Sequence, residues 1–172
     1  MATLLNNVTP EQYYTHNLQV VSGNIGDHAL QFKASVDSAA VFYRGMLITL
    51  NSSGNFIKGI TTEHDMPMWA VTGTTDFDFN GDVGNTSGGT MAAWVATGGI
   101  EMFTTEYVSG SYAPNDMLCP ATAGDAGKVK EAAAAYSLKL VCGVVSKGVV
   151  ADIYNVNTIQ FWPVYIPGVV TS

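Results

Sequence analysis

The clearest alternation of hydrophobic and polar positions lies in the stretch LQFKASV, residues 30–36, where every second residue is apolar and Gln, Lys and Ser stand between. A period of two is typical of a strand with one buried face. The next apolar stretch, residues 40–60, contains two β-rich runs joined by NSSGN. Since Asn, Ser and Gly suit a tight reversal, the sequence predicts a hairpin here.

Short apolar runs continue to the end of the chain, and Gly, Pro, Asn or Asp interrupts nearly every pair of them. The runs are MPMWAVTG, MAAWVAT, GIEMFTTEYV, DMLCPAT, SLKLVCGVVSKG and TIQFWPVYI. Short strands punctuated this often predict an all-β fold, either an antiparallel β-sandwich or a small β-barrel with long loops.

Two stretches depart from this β pattern. Residues 1–28 are polar and lack a sustained period, which indicates an extended N-terminal arm outside the core, with Tyr13 and Tyr14 as candidate contacts for a partner. Residues 29–172 then form the β-rich domain. Ala126–Leu138 contains an alanine run of high helix propensity, so it fits one short helix or a strand with a small-residue face equally well.

Composition changes the picture from a free monomer to a protein with partners. Hydrophobic residues make up 47% of the 172 residues and charged residues only 12%, so much of the surface is neutral or apolar. The net charge is -7 and no basic cluster occurs, which argues against nucleic-acid binding. No apolar run reaches the roughly 18 residues that span a bilayer, and the start lacks the features of a secretory signal. We therefore expect a soluble protein that binds no membrane.

The acidic stretch TDFDFNGDVGNTS, residues 75–87, has part of the spacing of a calcium loop. Asp76, Asp78 and Asn80 supply oxygens at loop positions 1, 3 and 5, and Asp82 adds another carboxylate. Position 12, however, is Ser87, which cannot provide the bidentate clamp. We expect a loop between strands and no metal site, with these four residues as the candidate ligands if an ion binds.

No catalytic pattern is complete in this chain, because it has neither an HExxH zinc motif nor a GxSxG nucleophile elbow. Glu101, Glu106 and Asp116 could pair for glycoside hydrolysis only if folding brought two carboxyl groups together. Cys119 and Cys142 belong to no CxxC pair, so two buried free thiols are expected in place of a disulfide. We expect no enzyme and no cofactor.

The segment QFWPVYIPG near the C terminus combines aromatic residues with two prolines. Because proline forces extended backbone and removes a hydrogen-bond donor, the segment suits an edge strand or an interface. Phe161, Trp162 and Tyr165 are therefore candidate contacts with a partner or a second subunit.

Between Val41 and Gly168 the chain carries, in order, the motifs VFYRGMLITLNSSGNFIKGI, MPMWAVTGTTDFDFNGDVGNTSGG, GGIEMFTTEYVSGSYAPNDMLCPA, VCGVVSKG and IQFWPVYIPG. The order of these motifs resembles that of capsid decoration, or cement, proteins of tailed bacteriophages. The resemblance implies a structural virion protein, assembled in the host cytoplasm, that binds the outer surface of an assembled capsid across capsomer junctions. It also implies the major capsid protein and further copies of this chain, as a trimer or dimer, as partners.

A competing interpretation is a tail or fibre component, or a surface module that binds glycans. In that interpretation Trp69, Trp94 and Trp162 would stack on sugar rings. Two of the three tryptophans lie in apolar runs, where burial competes with ligand stacking.

Overall fold

The computed structural model describes residues 18–23, 29–37, 42–62, 64–73, 82–83, 90–96, 98–132, 140–151 and 156–167. These residues form thirteen strands, which are β1 Leu18–Ser22, β2 Ala29–Ser35, β3 Phe42–Tyr43, β4 Leu47–Leu50, β5 Phe56–Lys58, β6 Met68–Gly73, β7 Asp82–Val83, β8 Thr90–Ala96, β9 Glu101–Thr104, β10 Met117–Pro120, β11 Val129–Glu131, β12 Val141–Ala151 and β13 Asn157–Ile166. A single 3-10 turn covers Ala123–Asp125.

The strands assemble into two large antiparallel sheets and one small pair. The six-stranded sheet has the order β1-β9-β13-β12-β10-β11, the five-stranded sheet has the order β2-β8-β6-β4-β5, and β3 pairs with β7. The chain is therefore an all-β protein of the sandwich type, as the sequence predicts, and the described residues contain no closed barrel.

Both large sheets curl, and in each sheet a residue that follows one strand bridges the strand at an edge of that sheet. In the five-stranded sheet Val36 bridges Phe56 in parallel, and the N–H of Asp37 donates to the carbonyl of Phe56 at 3.0 Å. In the six-stranded sheet Tyr107 bridges Val129 in the same manner. Each contact is a single bridge and not a continuous ladder, so the sheets curl without closing among the described residues.

The five-stranded sheet has apolar residues on both faces. Along β6, Trp69 and Val71 face an inter-sheet core, whereas Met68 and Ala70 face a second core on the other side. The buried members of the inter-sheet core are Leu18, Leu47, Ile60, Trp69, Ala96, Ile100, Met102, Leu118, Val129, Leu140, Cys142, Val145, Ile159 and Phe161. The second core contains Val36, Phe42, Met46, Ile48, Phe56, Met68, Ala70, Met91 and Ala93.

The two large sheets meet through aromatic packing and hydrogen bonds. The rings of Trp69 on β6 and Phe161 on β13 lie 4.8 Å apart between centroids and are both buried. The N–H of Leu47 donates to the carbonyl of Gly127 at 2.7 Å. In addition, the hydroxyl of Thr104 donates to the carbonyl of Gly45 at 3.0 Å. These contacts fix how the sheets are placed against each other.

Two local predictions are confirmed by the fold. The alternating stretch at residues 30–36 forms β2, which pairs with β8 along its whole length. The predicted hairpin joins β4 to β5, and the side chain of Asn51 accepts hydrogen bonds from the N–H groups of Ser53 and Asn55 within its turn. Gly54 provides the positive φ of 78° that the turn needs.

The predicted N-terminal arm contributes a strand to the fold. Residues Leu18–Ser22 form β1 at the edge of the six-stranded sheet, and Leu18 is 5% exposed in the inter-sheet core. The expectation that residues 1–28 lie outside the core is therefore wrong at Leu18, because its apolar side chain packs opposite Thr104 of β9. Residues 1–17, with Tyr13 and Tyr14, lie outside the described residues, and the division into an arm and a domain stays a prediction.

Residues 126–132 of the stretch Ala126–Leu138 are described, and three of them form a strand. Val129–Glu131 pairs with β10 as β11, so the strand interpretation holds for these residues. Residues 133–139 lie outside the described part of the chain.

Truncating the aromatic contact between the sheets is expected to destabilise the protein strongly. Phe161→Ala should lower the free energy of unfolding by about 3–5 kcal/mol, because it leaves a cavity against Trp69. Trp162→Ala on the same strand is the matched control and should cost less than about 1 kcal/mol, since that side chain is exposed. Urea denaturation measures both, and equal losses would contradict this packing.

A bulge in β12 depends on Gly148. Its φ of 76° matches the φ of 78° at Gly54, so alanine should meet similar backbone strain of about 1–2 kcal/mol at both positions. At Gly148, however, a Cβ would lie 2.6 Å from the carbonyl oxygen of Tyr112, whereas at Gly54 it would meet no described atom within 4 Å. We expect a larger loss of stability for Gly148→Ala than for Gly54→Ala in urea denaturation. Equal losses of stability would show that the loop at Tyr112 moves away from the added Cβ without cost, and would contradict this prediction.

Candidate interaction surface

An apolar row crosses the outer face of the six-stranded sheet. Met117 of β10 lies opposite Val144 of β12, and Val144 lies opposite Trp162 of β13. Directly opposite residues in antiparallel strands share one face, so these three side chains are neighbours. Met117 is 53% exposed and Trp162 43% exposed, while Val144 between them is half-buried. We call these three residues the apolar row.

The alternation of β13 explains why Trp162 faces outward. Phe161 packs against Trp69 in the inter-sheet core, and successive residues of a strand point to opposite faces. Val145 of β12 lies opposite Phe161 and is also buried, which places its neighbour Val144 on the outer face. The same packing that fills the core therefore presents the apolar row.

Further exposed apolar side chains lie at the C-terminal end of β13. Tyr165 and Ile166 are exposed, and the hydroxyl of Tyr165 donates to the carbonyl of His64 at 3.4 Å. Met66, two residues beyond His64, is exposed as well. We call Tyr165, Ile166 and Met66 the strand-end cluster.

A turn built on Asp65 holds the segment before Met66. The carboxylate of Asp65 accepts hydrogen bonds from the N–H groups of Thr61 and Thr62, at 3.0 and 2.8 Å, and from both threonine hydroxyls. Partial burial tends to raise the pKa of Asp65, but these hydrogen bonds together hold it below its usual value. The ionised carboxylate thus stabilises the turn that precedes the exposed methionine.

Neutral polar groups lie beside the apolar row on the outer face. Phe103 of β9 lies between Gln19 of β1 and Gln160 of β13 in one cross-strand row. The amide oxygen of Gln160 and the hydroxyl of Ser146 are buried and have no hydrogen-bond partner among the described residues. Neutral hydrogen-bonding groups therefore flank the apolar row on this face.

The candidate contact residues of the C-terminal segment divide between the core and the surface. Phe161 is fully buried, so the prediction that it contacts a partner is wrong, because its ring is enclosed between the two sheets. Trp162 and Tyr165 are exposed, and their role at an interface stays a prediction. Met117, Val144 and Met66 were missed, since only the pairing of distant strands brings them to this surface. DMLCPAT is a continuous apolar run after Asp116, so no local alternation separates the exposed Met117 from the buried Leu118.

The acidic candidates for metal binding are described at one position only. Asp82 belongs to β7, where it pairs with Tyr43 of β3, whereas Asp76, Asp78 and Asn80 lie outside the described residues. Within the described part of the chain, no group of three His, Cys, Asp or Glu side chains is placed to hold a metal ion.

The candidate carboxylates and tryptophans for glycan chemistry differ in their exposure. Glu106 is buried, while Glu101 is half-buried and accepts a hydrogen bond from the hydroxyl of Ser22 at 3.3 Å. Trp69 is buried and Trp94 is half-buried against the same core. Of the three tryptophans, Trp162 is the one whose ring is available at the surface.

No protein-family model matches the chain, and no curated protein matches it. Among the residues that the structure describes, no helix has the length and apolar character needed to cross a membrane. The geometry of the surface therefore carries the functional argument.

The Asp65 turn makes the stability of the folded protein depend on pH. A lowered pKa in the folded state contributes stability above the unfolded pKa of about 3.9, and this contribution is lost as pH falls through the folded pKa. Asp65→Asn should therefore cost a few tenths to about 1 kcal/mol near pH 7 and much less near pH 2.5, since the turn is partly exposed. Urea denaturation at both pH values measures the difference. Asp125→Asn, which removes a surface ion pair with Lys128, is the control. A cost of Asp65→Asn that does not change with pH would contradict the hydrogen-bonding account.

Proposed function

We propose that this chain is a capsid decoration protein that binds the outer surface of an assembled phage capsid through the outer face of its six-stranded sheet. The observation that carries the proposal is the apolar row of Met117, Val144 and Trp162, which is exposed on a regular sheet face. The resemblance in motif order supports the same function and supplies the identity of the partner, the major capsid protein.

The chemistry of this face suits a protein partner. Trp and Met are enriched at the centres of protein interfaces, and charged residues are depleted there. The apolar row provides both residue types, and the neutral Gln160 lies beside it on β13. Burying Trp162 and Met117 against a capsid subunit would remove apolar area from water without desolvating a charge. Such a contact is favourable at any ionic strength that the particle meets.

The mechanism requires no chemical step. A subunit that binds the assembled shell more tightly than free capsomers shifts the equilibrium toward the shell. Contacts that cross a junction between capsomers meet this condition, because the two sides of the junction coexist only after assembly. Association of this chain with itself, as a dimer or trimer, would multiply the contacts and raise the avidity for the shell.

A second candidate function is a tail or fibre component or a glycan-binding module, and one observation favours it. The exposed ring of Trp162 has the amphipathic surface on which sugars stack. The buried Trp69 and half-buried Trp94 leave this interpretation with a single aromatic platform. The row of aliphatic and thioether side chains beside Trp162 fits a protein surface better than a sugar.

Replacing the exposed members of the apolar row is expected to weaken attachment to the shell. The double variant Met117→Ser and Trp162→Ser should bind undecorated shells at least about ten-fold more weakly, because it removes the central apolar contacts. Its unfolding free energy should change little, since both side chains are exposed. Co-sedimentation of purified protein with shells that lack it measures the affinity.

The matched control is Val149→Ser, which changes another exposed apolar residue of β12 at a distance from the row. It should leave the affinity unchanged. Equal binding by wild type and double variant would refute docking through this face. Binding to polysaccharide that depends on Trp162, with no binding to shells, would favour the glycan module.

A further inference from the structure

The two cysteines, which are distant in sequence, lie on neighbouring strands of the six-stranded sheet. The register of β10 and β12 pairs Met117 with Val144 and Leu118 with Gly143. The next step of this register places Cys119 opposite Cys142. Both residues lie within the bounds of their strands and both are buried.

The hydrogen bonds of this ladder indicate which kind of pair the cysteines form. The N–H of Val145 donates to the carbonyl of Asp116 at 2.8 Å, so these two residues form a hydrogen-bonded pair. Because such pairs alternate with non-hydrogen-bonded ones, Cys119 and Cys142 form a non-hydrogen-bonded pair. Residues opposite each other at such a site have Cα atoms about 4.5 Å apart, within the range of about 4.4–6.8 Å that a disulfide accepts.

In the reduced protein the two thiols make weak contacts to backbone carbonyls. The thiol of Cys142 donates to the carbonyl of Leu118 at 3.5 Å, and that of Cys119 donates to the carbonyl of Glu131 at 3.7 Å. As the sequence predicts, both are buried free thiols. Leu118 belongs to β10, so the Cys142 thiol already lies against the strand that carries Cys119. Thiols are weak donors, and the contact of Cys119 with β11 is therefore weak as well.

We propose that Cys119 and Cys142 are a site of reversible oxidation, at which a dissolved disulfide such as oxidised glutathione converts the two thiols into a cross-strand disulfide. One cysteine thiolate attacks the glutathione disulfide and releases one glutathione thiolate. The other cysteine thiolate then attacks the protein sulfur of the mixed disulfide and releases the second. Two protein thiols are oxidised, one glutathione disulfide is reduced, and the two protons go to the glutathione thiolates.

Burial makes this reaction slow in the folded protein. It raises the pKa of Cys119 to about 11, and burial together with the nearby Cys119 raises the pKa of Cys142. Since the thiolate is the attacking species, few molecules are reactive at neutral pH. The bond would form during folding or transient opening and would then be protected from reduction by the same burial.

The disulfide would tie β10 to β12 and close the chain segment between residues 119 and 142, which includes β11. Cross-links of this kind stabilise a fold chiefly by restricting the unfolded chain. Met117 of the apolar row lies two residues before Cys119, so the bond would also hold the strand that carries part of the candidate interaction surface. The inference rests on strand register and holds whatever the surface binds.

The test compares disulfide formation in the folded and unfolded chain. Purified protein is equilibrated in a glutathione redox buffer, either native or in guanidinium chloride, and the oxidised fraction is measured by acid quenching and intact mass, where the bond removes two hydrogen atoms. The native sample is prepared by refolding the denatured protein in the same buffer, so that its thiols reach equilibrium with glutathione. If the fold favours the bond, the ratio of oxidised to reduced protein should be at least ten-fold higher in the native sample.

Cys119→Ser and Cys142→Ser are the controls, since neither can form an intramolecular bond. The oxidised wild type should melt roughly 5 °C or more above the reduced wild type, and this difference should vanish with a reductant and in both variants. A native ratio equal to or below the denatured ratio would overturn the proposal. So would refolded protein that carries mixed glutathione disulfides or intermolecular dimers in place of the internal bond.

Discussion

The contact between Trp69 and Phe161 fixes which faces of β6 and β13 are turned toward the inter-sheet core. Their rings meet between the two large sheets, so β6 and β13 each have one face fixed toward the inter-sheet core. Because a strand alternates its side chains, placing Phe161 inside places Trp162 outside. A shift of β13 by one residue would exchange the two and lose the aromatic contact. The stability of the core and the composition of the outer face are thus set by the same register.

The two sheets differ in what they leave exposed. The five-stranded sheet uses one face for the inter-sheet core and the other for the second core, as the alternation of Trp69 and Ala70 shows. The six-stranded sheet has one core face and one outer face. Large exposed apolar side chains of the described residues accordingly lie mainly on its strands, and Met66 is the exception in the loop before β6. They are Val21, Met66, Met117, Val149, Trp162, Tyr165 and Ile166. Among the described residues, the six-stranded sheet therefore offers more exposed apolar area than the five-stranded sheet.

Sequence patterns predict the fold where the pattern is local. The alternation at residues 30–36 and the NSSGN turn are sufficient to predict β2 and the β4-β5 hairpin. In QFWPVYI, by contrast, apolar residues occupy both faces, so periodicity cannot distinguish Phe161 in the core from Trp162 on the surface. The apolar row and the pair of cysteines depend on which distant strands become neighbours, and local sequence does not encode that pairing. Leu18 shows the same limit, because a short polar-flanked strand becomes part of the core only by pairing with β9.

We propose that the outer face of the six-stranded sheet attaches this protein to a capsid. The most direct measurement is high-resolution electron microscopy of shells that lack the protein, after they are mixed with the purified chain. The account predicts ordered density at capsomer junctions, with Trp162 and Met117 enclosed between the sheet and a capsid subunit. Bound protein whose six-stranded sheet faces solvent, or shells that acquire no density at saturating protein, would contradict it.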